Sequence, residues 1–494
     1  MASDKLVEPH TEQKNVAYAE NEESTVDPSA ESNISATRLL WKVDLHVFPI
    51  FFVIYVLGFL DRINIGNARI QGMQEDLELT GSRYNIALFI FFIPYIIFEV
   101  PSNILLKHVR PPIYLSSLMF VWGIINMCMG FVKTYQALVA LRFFLGVFEA
   151  GVLPGIIYLS SMYYKRHEFQ KRLSFFFCST LVAGAFGGLL AFAIAKLQGR
   201  AGYNGWQWIF IIEGAVTAFV AAISYFLIVD WPESCKFLTE NEKTFLLNRT
   251  QEDRAGGIAQ MDKLNKFSAM LILKDWKIWL CSFIYMGVGL PGLAAVFFMP
   301  TILNEFGWEA SDAQVHTIPV YACCLVVMLA TAWASDRLRH RFSFIFGGVC
   351  VSTIGHAMLL NQDNLSREAK YGAVFLTQIG IYAGLPIALV WLSNNMGGHY
   401  KRAIGAGLQV SFGNVAGIIG SNIFLRNERP KYPTGYGTSL GMLWMGGLCS
   451  LVLFVMILYE NRKRERGGRD YRLEYPPEKV QNLGDDHPSF RYTT

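Results

Sequence analysis

Apolar stretches alternate with short polar segments along most of the chain. Twelve of these stretches approach or exceed the roughly 20 helical residues needed to cross a bilayer. They are predicted at Val43–Gly66, Tyr84–Lys107, Tyr114–Phe131, Tyr135–Tyr164, Leu173–Ala195 and Trp208–Val229, then at Ile278–Leu303, Val315–Ser335, Phe344–Leu360, Tyr371–Asn394, Ala403–Leu425 and Gly437–Tyr459. A lone strand would leave its backbone groups unpaired in lipid, so each stretch reads as a helix. The expected fold is an all-α membrane protein with six spans in residues 39–229 and six in 278–460. Segment 230–277 is polar, contains Gly256-Gly257 and has a short amphipathic stretch near Leu264–Leu273. It reads as a cytoplasmic linker between two halves. Residues 1–38 are polar and acidic and read as a disordered tail with no cleavable leader. Residues 461–494 read as a second tail.

Composition narrows the class. Of 494 residues, 52% are hydrophobic, which excludes an ordinary soluble protein and a disordered one. The net charge of +4 gives no reason to expect nucleic acid. Lysine and arginine are densest in loops 107–112, 164–172, 336–341 and 399–402 and in the run Arg462–Arg466. By the positive-inside rule those loops and both termini are cytoplasmic. Of eight cysteines, Cys235 lies in the linker and the rest in predicted helices, so free thiols are expected. There is no Gly-x-x-x-x-Gly-Lys-Ser/Thr loop, no Cys/His metal spacing, no Ser/His/Asp set and no pore-loop sequence. An ATP-driven pump, an enzyme and a channel are therefore not indicated, and no cofactor is expected.

Charge inside the spans is the most informative feature. Asp61, Arg62, Glu99, Arg142, Glu149 and Glu213 all fall in apolar stretches of the first half, while the spans of the second half carry no Asp, Glu, Lys or Arg. Each such charge costs about 2.5–3.5 kcal/mol at mid-bilayer on insertion scales. The pattern implies a proton- or ion-handling half facing an uncharged half that helps hold a solute. Arg142 and Glu149 share one helical face but lie about 10.5 Å apart along the axis, too far to pair. Asp61 and Arg62 point in different directions on their helix. Asp61 is expected to pair with Arg142, leaving Arg62 for an anion. The competing readings are surface snorkelling for Asp61 and Arg62 and a packing network for helix 4. Gly151, Pro154 and Gly155 mark close packing or a bend just beyond Glu149. Glu99 reads as packing or capping beside Pro101, Glu213 as an inter-helix bond, and His356 as a core histidine. Phe143, Phe144 and Phe148 are candidate walls for an aromatic acid.

Two six-helix halves around a midplane site is the major facilitator plan. The loop Ala334-Ser335-Asp336-Arg337-Leu338-Arg339-His340-Arg341 resembles the Gly-x-x-x-Asp-Arg-x-x-x-Arg loop of that superfamily, with Asp336 and Arg337 as a structural gate. The corresponding loop Leu106–Pro112 keeps the basic residues but lacks the Gly and Asp. Leu60-Asp61-Arg62-Ile63-Asn64-Ile65-Gly66-Asn67-Ala68, together with Arg142 to Gly155, resembles the anion:cation symporter family. Phe98-Glu99-Val100-Pro101-Ser102-Asn103, Trp206 to Gly214, Trp391 to Asn395 and Lys401-Arg402-Ala403 are similar to its fungal allantoate/nicotinate permease branch. The resemblance covers about residues 40–460. It implies a proton-coupled symporter that takes up a small organic carboxylate, a nicotinate-like vitamin or an allantoate-like nutrient, by alternating access. Asp61 and Glu149 would be protonation sites, Arg142 would hold Asp61, and Arg62 would anchor the carboxylate. Tyr95 falls near a substrate-binding tyrosine. Asn394 and Asn395 are expected to line the cavity, and Asn414 either joins them or bonds helix to helix. The implied partners are an organic anion, a proton and the lipid bilayer, with no nucleic acid, and the implied state is a monomer in the plasma membrane. A proton-antiport exporter of an organic acid or secondary metabolite is the alternative, and a non-transporting nutrient sensor a more remote one.

Overall fold

The computed structural model describes residues 35–106, 108–255, 274–397, 399–476, 480 and 483–494. The amino-terminal tail up to residue 34 and the amphipathic stretch near Leu264–Leu273 lie outside the described residues. The first six spanning helices are α1 (Ala36–Ala68), α2 (Arg83–Leu106), α3 (Pro111–Met129), α4 (Tyr135–Tyr163), α5 (Arg166–Ala195) and α6 (Gly205–Leu227). The second six are α7 (Trp276–Glu305), α8 (Ala310–Leu338), α9 (Phe342–Leu360), α10 (Arg367–Asn394), α11 (His399–Gly420) and α12 (Pro433–Glu465). Eleven described helices are long and apolar enough to span, and α11 supplies the twelfth through its apolar run Ile404–Gly420. The chain is an all-helical, multi-pass membrane protein. The predicted linker contains a helix at Glu240–Ala255.

Two proline breaks shape the first half. α2 is interrupted at Ile90-Phe91 and α4 at Ala150-Gly151. Pro94 and Pro154 lie four residues after Ile90 and Ala150. A proline has no N–H for the carbonyl four residues back and its ring clashes there, so each helix opens at that point. Glu149 is thus the last residue of the first α4 segment.

Glycines set which helices approach. A Cβ on Gly123 would lie 2.7 Å from the Ala218 nitrogen, and one on Gly214 would overlap the Met127 backbone, so α3 and α6 meet at backbone distance. Gly146 on α4 faces the Phe91 carbonyl at the α2 break in the same way.

The described hydrogen bonds between the halves gather at the end opposite the termini. Asn85 donates to the Ser421 carbonyl at 2.7 Å, Tyr84 to the Phe297 carbonyl at 3.4 Å, and Gln71 to the Gln314 side chain at 3.2 Å. Gly66 packs on the Phe297 backbone and Gly188 on Gln314. At the termini end Arg172–Asp44 ties the first half internally, and Lys42–Glu242, Arg249–Glu168 and Arg110–Asp230 tie it to the segment that follows α6. Arg110 stands in the loop that lacks its own acid, and Asp230, beyond α6, supplies one.

The gate expected from Asp336 and Arg337 is arranged differently. Asp336 accepts a hydrogen bond from Arg341 at 2.6 Å, while Arg337 is exposed with its guanidinium 5.8 Å from the Trp333 ring centre. Arg339 ends α8 in a left-handed conformation, which turns the chain so that Arg341, not Arg337, comes back to Asp336. The expected tail at 461–494 is also more ordered than its sequence implies: α12 continues to Glu465 and residues 483–494 pack against the second half.

Candidate functional site

A cavity of about 100 Å³ lies between the halves. A single water needs roughly 10–15 Å³ by this measure, so a solute of several heavy atoms fits. Its walls come from α1, α2, α4 and α5 on one side and α7, α8, α10 and α11 on the other. Six of the lining residues are aromatic: Tyr55, Phe59, Tyr95, Phe177, Tyr285 and Tyr382. Arg62 is the charged residue among the lining side chains. The contacts of Gly66, Tyr84 and Asn85 with α7 and α11 close the bundle beyond it.

Arg62 sits between two rings and an acid. Its guanidinium carbon is 4.9 Å from the Phe91 ring centre and 5.1 Å from that of Tyr95. Its Nη2 donates to Glu149 Oε1 in a buried ion pair. The two helix breaks explain the juxtaposition: Phe91 sits at the α2 break, Glu149 at the α4 break, and Gly146 lets the two helices close on each other. Arg62 Nε and Glu149 Oε2 have no hydrogen-bond partner among the described residues, so the pair keeps unused donor and acceptor capacity.

Asp61 is arranged otherwise. Trp122 Nε1 at 3.0 Å, Asn126 Nδ2 at 2.6 Å and Thr217 Oγ1 at 2.9 Å all donate to its carboxylate. These donors stand on α3 and α6, brought together by Gly123 and Gly214. Three neutral donors thus surround the acid, and no ion pair joins Asp61 to Arg142. Arg142 is buried, and its Nε and Nη2 have no hydrogen-bond partner among the described residues. The expected Asp61–Arg142 pair is therefore replaced by Arg62–Glu149 and a neutral cage around Asp61. Neither Asp61 nor Glu213 lines the cavity; Glu213 accepts from Asn64 across α1 and α6.

The remaining expected site residues divide. Tyr95 and Asn414 line the cavity, and Asn414 Nδ2 has no hydrogen-bond partner among the described residues. Asn394 and Asn395, expected to face the cavity, do not. They end α10 at the termini end, and Asn395 Nδ2 donates to the Thr493 carbonyl at 3.0 Å. Phe143 and Phe144 are exposed on the outer surface of α4 rather than lining a pocket. His356 is a core histidine bonded to Ser352. Sequence reading missed Trp122, Asn126 and Thr217 as the partners of Asp61. Asn126 and Thr217, polar residues in apolar spans, carried the signal; Trp122 carried none.

Comparison with known proteins agrees with this architecture. The family model described as Major Facilitator Superfamily matches residues 51–421. An uncharacterized transporter of Schizosaccharomyces pombe is 34% identical over 98% of this chain and 94% of its own length. The high-affinity nicotinic acid transporter of Saccharomyces cerevisiae is 29% identical over 99% of this chain and 90% of its own. Among solved structures, a bacterial homolog of the human lysosomal transporter Spinster, inward-facing and occupied, superposes with a TM-score of 0.62 at 15% identity, covering 85% of this chain and 97% of that one. That likeness concerns the fold alone. With a family match across most of the chain and relatives that align nearly end to end, this chain belongs to the Major Facilitator Superfamily.

Proposed function

We propose that the protein is a proton-coupled symporter that takes up a small organic carboxylate across the plasma membrane, with both termini cytoplasmic. The observation that carries this reading is the buried Arg62–Glu149 pair, whose arginine lines a cavity with six aromatic side chains. A guanidinium offers paired donors that match a carboxylate. A substrate carboxylate and the Glu149 carboxylate compete for it, so Arg62 binds substrate when Glu149 takes a proton. One proton and one carboxylate then enter together without leaving a net buried charge. The rings of Tyr55, Tyr95, Tyr285 and Tyr382 suit a flat ring acid, and Asn414 adds a hydrogen-bond donor on the opposite wall. A nicotinate-like vitamin fits this chemistry, as does an allantoate-like nutrient with less use of the rings. With the termini inside, the contacts at the far end make this an inward-facing arrangement, and rocking of the halves would open that end. In this reading Asp61 in its cage holds α1 to α3 and α6, and Arg142 responds to the state of both acids.

The test is uptake by protein reconstituted in liposomes with an inward proton gradient, using a labelled panel of nicotinate, allantoate and related carboxylates. Gradient-driven accumulation of one of these, abolished by a protonophore and by Arg62→Ala, supports the reading. Accumulation driven by an outward proton gradient would replace it with export.

A further inference from the structure

A second built site lies away from the cavity, at the termini end of the second half. Lys277 begins α7 and Lys401 lies in the first turn of α11, and both are almost fully buried, at 4% and 5% exposure. Two ammonium groups would repel each other there. Asp275 meets Lys401 at 2.5 Å and Lys277 at 3.1 Å, which neutralises one charge. The second counter-ion is Asp485, from the far end of the sequence. It is 0% exposed, and its two oxygens meet Lys277 and Lys401 at 2.8 Å each. Burial alone would raise the Asp485 carboxyl, but Lys277 and Lys401 outweigh it and hold the group well below the usual carboxylate range.

The surrounding contacts fit one backbone path. The Thr493 carbonyl accepts from Trp391 Nε1 at 2.9 Å and from Asn395 Nδ2, while Asn395 Oδ1 accepts from the Thr493 N–H at 2.8 Å. The Arg341 N–H donates to the Thr494 carbonyl. Tyr492 Oη accepts from Lys277 at 3.2 Å and from Arg464 at 3.0 Å. Arg464 also donates to the carbonyls of Asp485 at 2.8 Å and Phe490 at 3.0 Å. A Cβ on Gly397 would overlap the Asp485 backbone, so the approach requires glycine there.

We propose that segment 483–494 is an internal ligand: an acidic peptide strap that fills a socket formed by Lys277, Lys401, Asn395, Trp391 and Arg464 and fixes the starts of α7 and α11 relative to each other. The consequence reaches the cavity. Gly289, Gly292 and Val296 of α7 and Val410, Gly413 and Asn414 of α11 line it further along the same two helices. Among the described contacts the strap bonds to the second half and to Arg472 beyond α12 but not to the first half, so it stiffens the second half as one unit and does not lock the two halves together. This inference is independent of the substrate and of proton coupling.

The test places a specific protease site between residues 476 and 483 and cuts the purified, intact protein. The strap should remain bound through size exclusion, with the thermal midpoint unchanged. The same protein carrying Asp485→Asn should lose the strap after cutting, with a lower midpoint. Added peptide 480–494 should restore the midpoint, and the peptide with Asp485→Asn should bind at least tenfold more weakly, since an ion pair broken on one side leaves the other charge uncompensated. Spin labels on α7 and α11 should show a broader distance distribution once the strap is gone. A native strap that leaves on cutting with no change in midpoint, or an Asn peptide that binds as well as the native one, overturns the proposal.

Discussion

Replacing Glu149 by Gln removes the anion that Arg62 holds while keeping a carbonyl acceptor of the same shape beside it. In the proposed mechanism a substrate carboxylate that takes the paired donors of Arg62 displaces Glu149 from Nη2. A hydrogen bond to a charged group nets about 1.5–3 kcal/mol, and about 1.4 kcal/mol is a factor of ten in affinity. The variant should therefore bind substrate roughly ten- to a hundredfold more tightly at neutral pH. The pH dependence should change with it. When each substrate bound brings one proton to Glu149, native affinity rises about tenfold per unit fall in pH and levels off once Glu149 is already protonated. The Gln variant has no proton to take and should show a flat profile.

Transport should separate from binding in the same variant. Uptake against a gradient should be lost, because no group releases a proton after substrate leaves. Exchange of preloaded substrate should continue. Equilibrium binding of labelled substrate to detergent-purified protein across acid to neutral pH, together with counterflow in liposomes, measures both. A single symmetric size-exclusion peak is the control for folding. A Gln variant that binds no more tightly, keeps the native pH slope or still concentrates substrate would refute the competition between Glu149 and substrate.

Other expectations follow from the same geometry. Asn126→Leu strips the 2.6 Å donor from Asp61 and should cost about 1–3 kcal/mol, read as a lower thermal midpoint, whereas Asn126→Asp should be worse because it sets two acids together. Gly66→Val puts a side chain where even a Cβ is 2.8 Å from the Phe297 carbonyl, so it should open the far end; disulfide crosslinking of Gln71→Cys with Gln314→Cys should drop against the Gly66 background. Asn395→Ala should lower the thermal midpoint and leave substrate affinity unchanged, and Asn414→Ala should do the reverse; a large loss of affinity in Asn395→Ala would return that residue to the binding site.

Hydropathy alone made the architecture legible, because a spanning helix has few physical alternatives. It also located the charges that matter, since an acid or base in an apolar stretch is conspicuous wherever it falls. It did not assign their partners. The spacing of Arg142 and Glu149 correctly excluded a bond within α4, yet the cation that reaches Glu149 stands on α1. Pairing between helices depends on how each is rotated and how closely it packs, and those facts reside in small residues. Gly146 against Phe91 brings α4 to α2, and Gly123 and Gly214 bring α3 to α6. Each is a glycine among many, and only the packed structure distinguishes it. The contacts of the segment after α12 were not legible for a related reason: its polar composition reads as a tail, and the two lysines that Asp485 meets stand more than eighty residues away in sequence.

The redistribution of partners also separates the roles of the two acids. Asp61 has three neutral donors from α3 and α6, none of which lines the cavity. Glu149 is ion-paired with one cation, Arg62, and that cation lines the cavity. In the proposed mechanism an anion that takes the paired donors of Arg62 displaces Glu149, and the loser of that competition is a buried carboxylate without its ion-pair partner. Protonation is the least costly way to relieve it. An anion arriving at Arg62 thus draws a proton to Glu149 in the proposed mechanism, whereas Asp61 does not line the cavity. Coupling in the proposed mechanism is carried by the Arg62–Glu149 pair, and Asp61 serves it by fixing the orientation of the α1 turn on which Arg62 stands.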